Sequence, residues 1–165
     1  TPDVNKMFLA LRGERVDGNS FVPQIVASGC CAMTDCEENL SLVGDVIYVH
    51  DVRVALQELS RFYRENELKD VSIVGITGSV GKTTTKDMVA LALSSSLRVH
   101  KTQGNSNSQI GLPQTLLATP LDSECAVVEL GMSMRHEMER IARCASPDIS
   151  VTFTPPVHAS AKLTE

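Results

Sequence analysis

A short apolar stretch runs directly into a glycine-rich turn at residues 73–85, IVGITGSVGKTTT, and this order constrains the fold more than any other part of the chain. It predicts a buried strand, a tight turn and a helix. Gly78 and Gly81 can adopt backbone angles that are closed to other residues, so consecutive N–H groups can converge on a phosphate. The general phosphate-binding loop has a glycine where this chain has Ile76. The pattern therefore predicts a variant phosphate-binding loop (P-loop), with an ordinary strand-to-helix turn as the alternative.

The turn also carries the side chains that a nucleotide site needs. Lys82 can bring a mobile positive charge to the β- and γ-phosphates, and Thr83 can offer its hydroxyl oxygen to Mg²⁺. The positive end of the following helix would face the same anion. The candidate nucleotide-binding residues are Thr77, Gly78, Ser79, Val80, Gly81, Lys82, Thr83 and Thr84.

Strands and helices alternate regularly after Asp70. The predicted strands are 71–76, 97–101, 125–130 and 148–153, and the predicted helices are 83–95, 109–118 and 135–144. Before Asp70, strands are predicted at 8–11, 30–33 and 46–49, and helices at 21–28 and 52–66. This alternation predicts parallel sheets covered by helices. We therefore expect an α/β fold, with a small α/β domain at 1–69 and the first part of a P-loop parallel-sheet domain at 70–165.

Two further patterns predict buried positions. Helix 52–66 is expected to be amphipathic, with an apolar face formed by Val54, Leu56, Leu59 and Phe62. Cys125 lies inside the apolar run CAVVEL, and Cys144 lies late in a helical pattern. Both cysteines are therefore predicted to be small buried hydrophobic residues.

Composition argues against several classes of function. A chain of 165 residues with 42% hydrophobic content can bury a substantial core. The net charge of −5 with interspersed signs leaves no basic stripe for nucleic acid. No apolar run approaches the ~20 residues of a membrane span. The five cysteines form no CxxC pair, so the sequence predicts neither a zinc site nor a disulfide framework.

A polar segment at residues 101–113, KTQGNSNSQIGLP, lies where a parallel sheet places chemistry, beyond the end of a strand. Asn105, Asn107 and Ser108 supply uncharged donors and acceptors that suit a polar or phosphorylated substrate. Asn and Ser also cap helices routinely, and a helix is predicted from residue 109. The sequence leaves substrate binding and helix capping equally open for this segment.

Two single residues complete the candidate site. Glu129 ends the apolar strand 126–128, next to the predicted P-loop strand, where a carboxylate can hold the Mg²⁺ of a nucleotide directly or through water. Helix capping is the alternative role for Glu129. His158 follows the strand 150–154 and two prolines, and by itself such a histidine is more often a surface residue.

Four motifs and their order resemble the Mur ligase family of peptidoglycan synthesis. They are GITGSVGKTTTKDM, KTQGNSNSQIGLPQTLL, VVELGMSMRHEMERIA and SPDISVTFTPPVHA. The amino-terminal FLALRGERVDGNSFVPQIVASG is similar to the uridine-nucleotide-binding domain of the same family. Within the family, the chain looks most like the members that join D-alanyl-D-alanine to UDP-N-acetylmuramoyl-tripeptide.

The resemblance implies an ATP-dependent amide ligase. In the family, the γ-phosphoryl group of ATP is transferred to a substrate carboxylate, and an amine then attacks the acyl phosphate. Lys82 would be catalytic, Thr83 and Glu129 would hold Mg²⁺, and Asn105, Asn107 and Ser108 would match the substrate-binding GNxNNxIG. His158 would align with a family histidine that lies near a second metal, as a further catalytic residue.

The chain departs from the family pattern in places. Where the family reads TN(I/V)G, residues 152–155 read TFTP, and Ser108 replaces an asparagine. The chain is expected to be cut from a longer protein and to be inactive alone. A truncated or diverged nucleotide-binding module without catalysis is the alternative function, and a folylpolyglutamate-synthase-like ligase fits the motifs less well. The resemblance implies a monomer in the bacterial cytoplasm, or in the plastid stroma if the host has plastids.

Overall fold

The chain forms two compact units, Thr1–Leu59 and Ser60–Glu165. The computed structural model describes residues 6–104, 106–131 and 137–153. The division falls within one helix, whereas the sequence-based domain boundary at residues 69 and 70 lies further along the chain. None of the helices among these described residues is long and apolar enough to cross a membrane.

The first unit is a small parallel α/β fold. Its strands are β1 (Met7–Leu9), β2 (Cys31–Thr34) and β3 (Val46–Tyr48), and its helices are α1 (Val22–Ala27) and the first part of α2 (Val52–Asn66). The sheet has the order β1-β2-β3, and both pairs of strands are parallel. Ala10, Val22, Val26 and Ala32 form its buried core.

The second unit is built around a four-stranded parallel sheet of order β5-β6-β4-β7. Its strands are β4 (Ser72–Gly78), β5 (Val99–Lys101), β6 (Cys125–Glu129) and β7 (Ile149–Phe153). Its helices are α3 (Lys82–Leu93), α4 (Gly111–Leu117) and α5 (Glu137–Ala145). The predicted α/β fold class and the alternation of elements after Asp70 are therefore confirmed.

At the central strands β4 and β6, buried side chains point to both sides of the sheet, because successive residues of a strand alternate between its faces. Ile73 of β4 packs with α4 and α5 residues such as Leu112 and Ile141. Its neighbour Val74 packs on the other face with Ala90 of α3. Cys125 and Cys144 are 2% and 3% exposed, which confirms that both are small buried residues.

The apolar face predicted for α2 is wrong, although the helix itself is confirmed. Val54, Leu59 and Phe62 are exposed, and of the four predicted residues only Leu56 is buried. The buried stripe instead recurs every four residues, at Val52, Leu56, Ser60 and Arg64. Hydropathy alone misses this stripe because two of its members are polar residues with hydrogen-bond partners.

Arg64 lies in the part of α2 that belongs to the second unit and bonds to other segments of that unit. Its guanidinium donates to the carbonyl oxygens of Leu68, Ala145 and Ser146 at 2.7–3.3 Å and to the Asp148 carboxylate at 2.9 Å. The same Asp148 oxygen accepts the backbone N–H of Ile73 at 2.7 Å. Arg64 and Asp148 therefore hold the starts of the neighbouring strands β4 and β7.

We expect Arg64→Met to lower the free energy of unfolding by roughly 3 kcal/mol, because it leaves buried carbonyl oxygens without a donor. Arg61→Met is the matched control: Arg61 is exposed and pairs with Glu65 at 3.2 Å, so its loss should cost less than about 0.5 kcal/mol. Urea unfolding followed by circular dichroism measures both. Equal effects of the two substitutions would contradict the anchoring role of Arg64.

Candidate functional site

The two glycines of the P-loop have positive φ for different reasons. Gly78 ends β4 at φ 144°, and a Cβ there would collide with the Phe153 backbone, whose nitrogen would lie 3.0 Å away. Gly81 precedes α3 at φ 75°, and no atom lies within 4 Å of the Cβ that an alanine would add. Gly78 thus allows close packing of β4 on β7, whereas Gly81 supplies the left-handed backbone that leads into α3.

Lys82, the first residue of α3, reaches back over the loop. Its Nζ donates to the carbonyl oxygen of Gly78 at 2.7 Å. This single bond to a neutral acceptor leaves two further N–H donors of the ammonium group. Lys82 therefore places a positive charge where the loop amides and the α3 N-terminus also favour an anion.

Glu129 is the centre of the site. It is the last residue of β6 and only 1% exposed. One carboxylate oxygen accepts the Thr83 hydroxyl at 2.8 Å, and the other accepts the Asn107 side-chain amide at 2.7 Å. A buried carboxylate is costly unless it is hydrogen-bonded, and here each oxygen has a donor. Glu129 thus joins the P-loop helix to the polar segment.

The oxygen atoms of this cluster fit Mg²⁺. Because Thr83 donates its only proton to Glu129, the lone pairs of its hydroxyl remain available to a cation. Mg²⁺ is usually bound by one or two protein oxygens together with the phosphates of its substrate. Over the described ranges, no group of three or more His, Cys, Asp or Glu residues is placed to hold a metal. Thr83 and Glu129 are therefore the two candidate protein ligands.

Asn107 is held tightly in place. Its carbonyl oxygen accepts the Gly131 N–H at 2.9 Å, and a Cβ on Gly131 would lie 2.6 Å from the Asn107 side chain. The side chain that the sequence assigned to substrate therefore contacts Glu129. Asn107 can act on the chemistry through that carboxylate as well as by direct contact.

Of the remaining candidate residues in the polar segment, Ser108 lies within the described part of the chain. The Ser108 hydroxyl accepts the N–H groups of Ile110 and Gly111 at 3.4 and 3.2 Å, at the start of α4. Ser108 thus performs the helix-capping role that the sequence left open. Asn105 and His158 lie outside the described residues.

One open cleft collects most of the predicted nucleotide site. It has a volume of about 560 Å³, and its lining residues are Ser79, Val80, Gly81, Lys82, Thr83, Thr84, Asn107 and Glu129. Thr77 contributes differently, because its hydroxyl donates to the Leu130 carbonyl oxygen at 3.2 Å. That bond ties the end of β4 to the end of β6 beneath the cleft.

Sequence reasoning missed Lys86, which lies on the buried side of α3. The side chain is 2% exposed, and its Nζ donates to the Thr102 carbonyl oxygen at 2.9 Å. Its sequence position could have indicated burial, because Lys86 lies one turn after Lys82 and one turn before Ala90. These three residues share a helix face, and Ala90 is buried.

The first unit has a smaller cleft of about 170 Å³, lined in part by Arg12, Asp35 and Arg53. Burial alone would raise the pKa of Asp35, but hydrogen bonds from Asn19 and Arg12 outweigh burial and hold that pKa below its usual value. Asp35 therefore carries its negative charge at neutral pH. Arg12 contacts it at 3.1 Å and remains largely exposed.

Residues 76–154 match the family described as the Mur ligase middle domain. The chain is 44% identical over 153 residues to the UDP-N-acetylmuramoyl-tripeptide–D-alanyl-D-alanine ligase of Bacillus subtilis, covering 89% of this chain and 32% of that protein. It superimposes on a crystal structure of MurF from Acinetobacter baumannii with a TM-score of 0.83 and 33% identity, over 92% of this chain and 33% of that one.

A second solved structure, MurF ligase from Thermotoga maritima in complex with ADP, matches with a TM-score of 0.81 and 27% identity, over 93% of this chain and 36% of that one. The chain thus spans about a third of the length of the relatives it matches. These matches confirm the family resemblance that the four sequence motifs indicated.

The two loop glycines should respond differently to alanine. Gly78→Ala adds a methyl group against the Phe153 backbone, so we expect it to destabilise the chain by about 3 kcal/mol or more. Gly81→Ala meets no neighbour, and its left-handed backbone should cost only about 1–2 kcal/mol. Urea unfolding of both variants gives the comparison. A smaller loss for Gly78→Ala than for Gly81→Ala would contradict this geometry.

Proposed function

This chain carries a Mur ligase middle domain and belongs to that family, and on this premise we propose that it is part of an ATP-dependent amide ligase of peptidoglycan precursor synthesis. The proposed reaction joins D-alanyl-D-alanine to UDP-N-acetylmuramoyl-tripeptide. The observation that carries the proposal is the cleft in which Lys82, Thr83 and Glu129 meet beside a glycine-rich loop. The high similarity to ligases of this specificity supports the choice of substrates.

The proposed chemistry has two steps. A carboxylate oxygen of the muramoyl peptide attacks the γ-phosphorus of ATP, and the bond from that phosphorus to the bridging oxygen breaks to release ADP. The amine of D-alanyl-D-alanine then attacks the acyl phosphate, forms the amide bond, loses a proton and releases inorganic phosphate. Activation is needed because a carboxylate oxygen is a poor leaving group, whereas phosphate is a good one.

The residues of the cleft suit the first step. Phosphoryl transfer requires the protein to position the reacting groups and to stabilise negative charge on the phosphate oxygens. It requires little covalent catalysis by protein side chains. Lys82 and the loop amides would orient the β- and γ-phosphates and neutralise their charge. Thr83 and Glu129 would hold Mg²⁺, which supplies further positive charge to the phosphate oxygens when it is bound. Asn107 would keep the Glu129 carboxylate in position.

The substrate side of the proposal rests on the family resemblance. Asn105, Asn107 and Ser108 are proposed to face the muramoyl peptide, and His158 is proposed to act near a second metal. The amino-terminal domain, residues 1–69, is proposed to bind the uridine nucleotide, and residues 70–165 to form the first part of the ATP-binding domain. We expect a monomer in the compartment that makes these precursors, the bacterial cytoplasm or the plastid stroma.

Lys82→Met tests nucleotide binding directly. Loss of the ammonium should weaken ATP binding roughly 10- to 100-fold, because hydrogen bonds to charged groups contribute about 1.5–3 kcal/mol. Isothermal titration with Mg²⁺ and adenylyl imidodiphosphate measures the change, and Lys69→Met, an exposed position before β4, is the control. If neither the parent chain nor the protein expressed from its own gene binds this ATP analogue, the ligase proposal is wrong. Binding without amide formation in the protein expressed from its own gene would favour the non-catalytic alternative.

Thr83→Val tests the proposed metal site. The substitution keeps the shape of the side chain but removes the hydroxyl, so the Mg²⁺ concentration for half-maximal nucleotide binding should rise about tenfold. Thr85→Val makes the same change two residues further along α3 and should leave that concentration unaltered. An equal Mg²⁺ requirement in the two variants would exclude Thr83 as a ligand.

A further inference from the structure

Lys86 is a charged side chain buried beneath the nucleotide cleft. Its Nζ donates to the carbonyl oxygens of Thr102 at 2.9 Å and Gly104 at 3.5 Å, and it lies 3.6 Å from the Asp87 carboxylate. Burying an ammonium group is costly unless such partners are present. Backbone carbonyl oxygens of one short segment offset the cost of burying the ammonium group. The buried ammonium group therefore stabilises the position of that segment.

The segment that Lys86 holds is also bonded to β6. Thr102 is fully buried, and its N–H donates to the Val127 carbonyl oxygen at 3.1 Å. Its hydroxyl accepts the backbone N–H of Glu129 at 3.1 Å. Thr102 therefore accepts two hydrogen bonds: its carbonyl oxygen accepts one from Lys86, and its hydroxyl accepts one from the backbone N–H of Glu129.

Two separate connections thus run from α3 to residues 102–107. The first leads from Thr83 through the Glu129 side chain to Asn107. The second leads from Lys86 to Thr102 and Gly104. Thr83 and Lys86 lie three residues apart on one face of the same rigid helix. Because Thr102, Gly104 and Asn107 are connected to α3 at two points, they should follow a movement of that helix more closely than they would with one connection.

We infer that Lys86 is a positioning residue that couples nucleotide and Mg²⁺ binding at α3 to the placement of Thr102, Gly104 and Asn107. This inference rests on the proposed function, because it assumes that nucleotide binds at Lys82 and Thr83. Lys86 itself is buried beneath the cleft and does not line it. Its removal should therefore spare the direct phosphate contacts and impair the response of the polar segment.

Amide hydrogen exchange reads out this response in the protein expressed from its own gene. The Gly131 amide donates to the Asn107 carbonyl oxygen, and the Glu129 amide donates to the Thr102 hydroxyl, so both report on the segment. Adenylyl imidodiphosphate with Mg²⁺ should slow exchange at these amides in the parent protein. In Lys86→Met the slowing should be lost, and the Mg²⁺ requirement should rise about tenfold. Affinity for the analogue without Mg²⁺ should stay within about threefold of the parent.

Lys101→Met is the matched control. The Lys101 ammonium pairs with the same Asp87 at 2.7 Å, but its side chain is 40% exposed, so this variant should keep the parent response. If Lys86→Met does not fold, Lys86→Gln is used instead, because a neutral donor can still bond to the buried carbonyl oxygens. Lys86→Gln should show a smaller loss of the nucleotide-dependent slowing of exchange. A full response in the Lys86 variant, or an equal loss in Lys101→Met, overturns the inference. Failure of the parent to bind the analogue overturns the proposed function instead.

Discussion

The hydrogen bonds of the Glu129 carboxylate are the interaction on which the rest of the candidate site depends. The side chain is almost fully buried, and its oxygens accept the Thr83 hydroxyl and the Asn107 amide. Such donors offset the cost of burying a carboxylate at the end of an apolar strand. The same two bonds join the first turn of α3 to the polar segment before α4. Glu129 thus connects two of the elements that line the cleft.

The parallel sheet explains why these groups meet. Ile76 and Glu129 are paired in register on β4 and β6, so the P-loop and the carboxylate emerge from the same edge. The carboxyl ends of parallel strands are where α/β folds bind ligands, because the connecting loops and helix N-termini converge there. Gly78 lets β7 approach β4 closely at this edge. The apolar strands therefore serve as rigid supports for a small set of polar groups.

Much of this arrangement could be predicted from sequence because it depends on local patterns. The strand-turn-helix around Lys82, the position of Glu129 at a strand end, and the alternation of elements after Asp70 all follow from short-range periodicity. Partners distant in sequence could not be predicted in this way. Arg64 and Lys86 are charged helix residues that local patterns do not mark as buried, yet both are buried, and carbonyl groups distant in sequence accept hydrogen bonds from them. Phe62 on α2 shows the opposite error, because its hydropathy predicts burial but its side chain is exposed.

A crystal structure of the chain with adenylyl imidodiphosphate and Mg²⁺ tests the central claim most directly. We expect the β-phosphate to lie within hydrogen-bond distance of the amides around Gly81. We also expect the Lys82 ammonium to move from the Gly78 carbonyl oxygen to the phosphates, and Mg²⁺ to contact the Thr83 oxygen beside Glu129. A nucleotide bound elsewhere, or a metal ion that leaves Thr83 and Glu129 without contact, would contradict it.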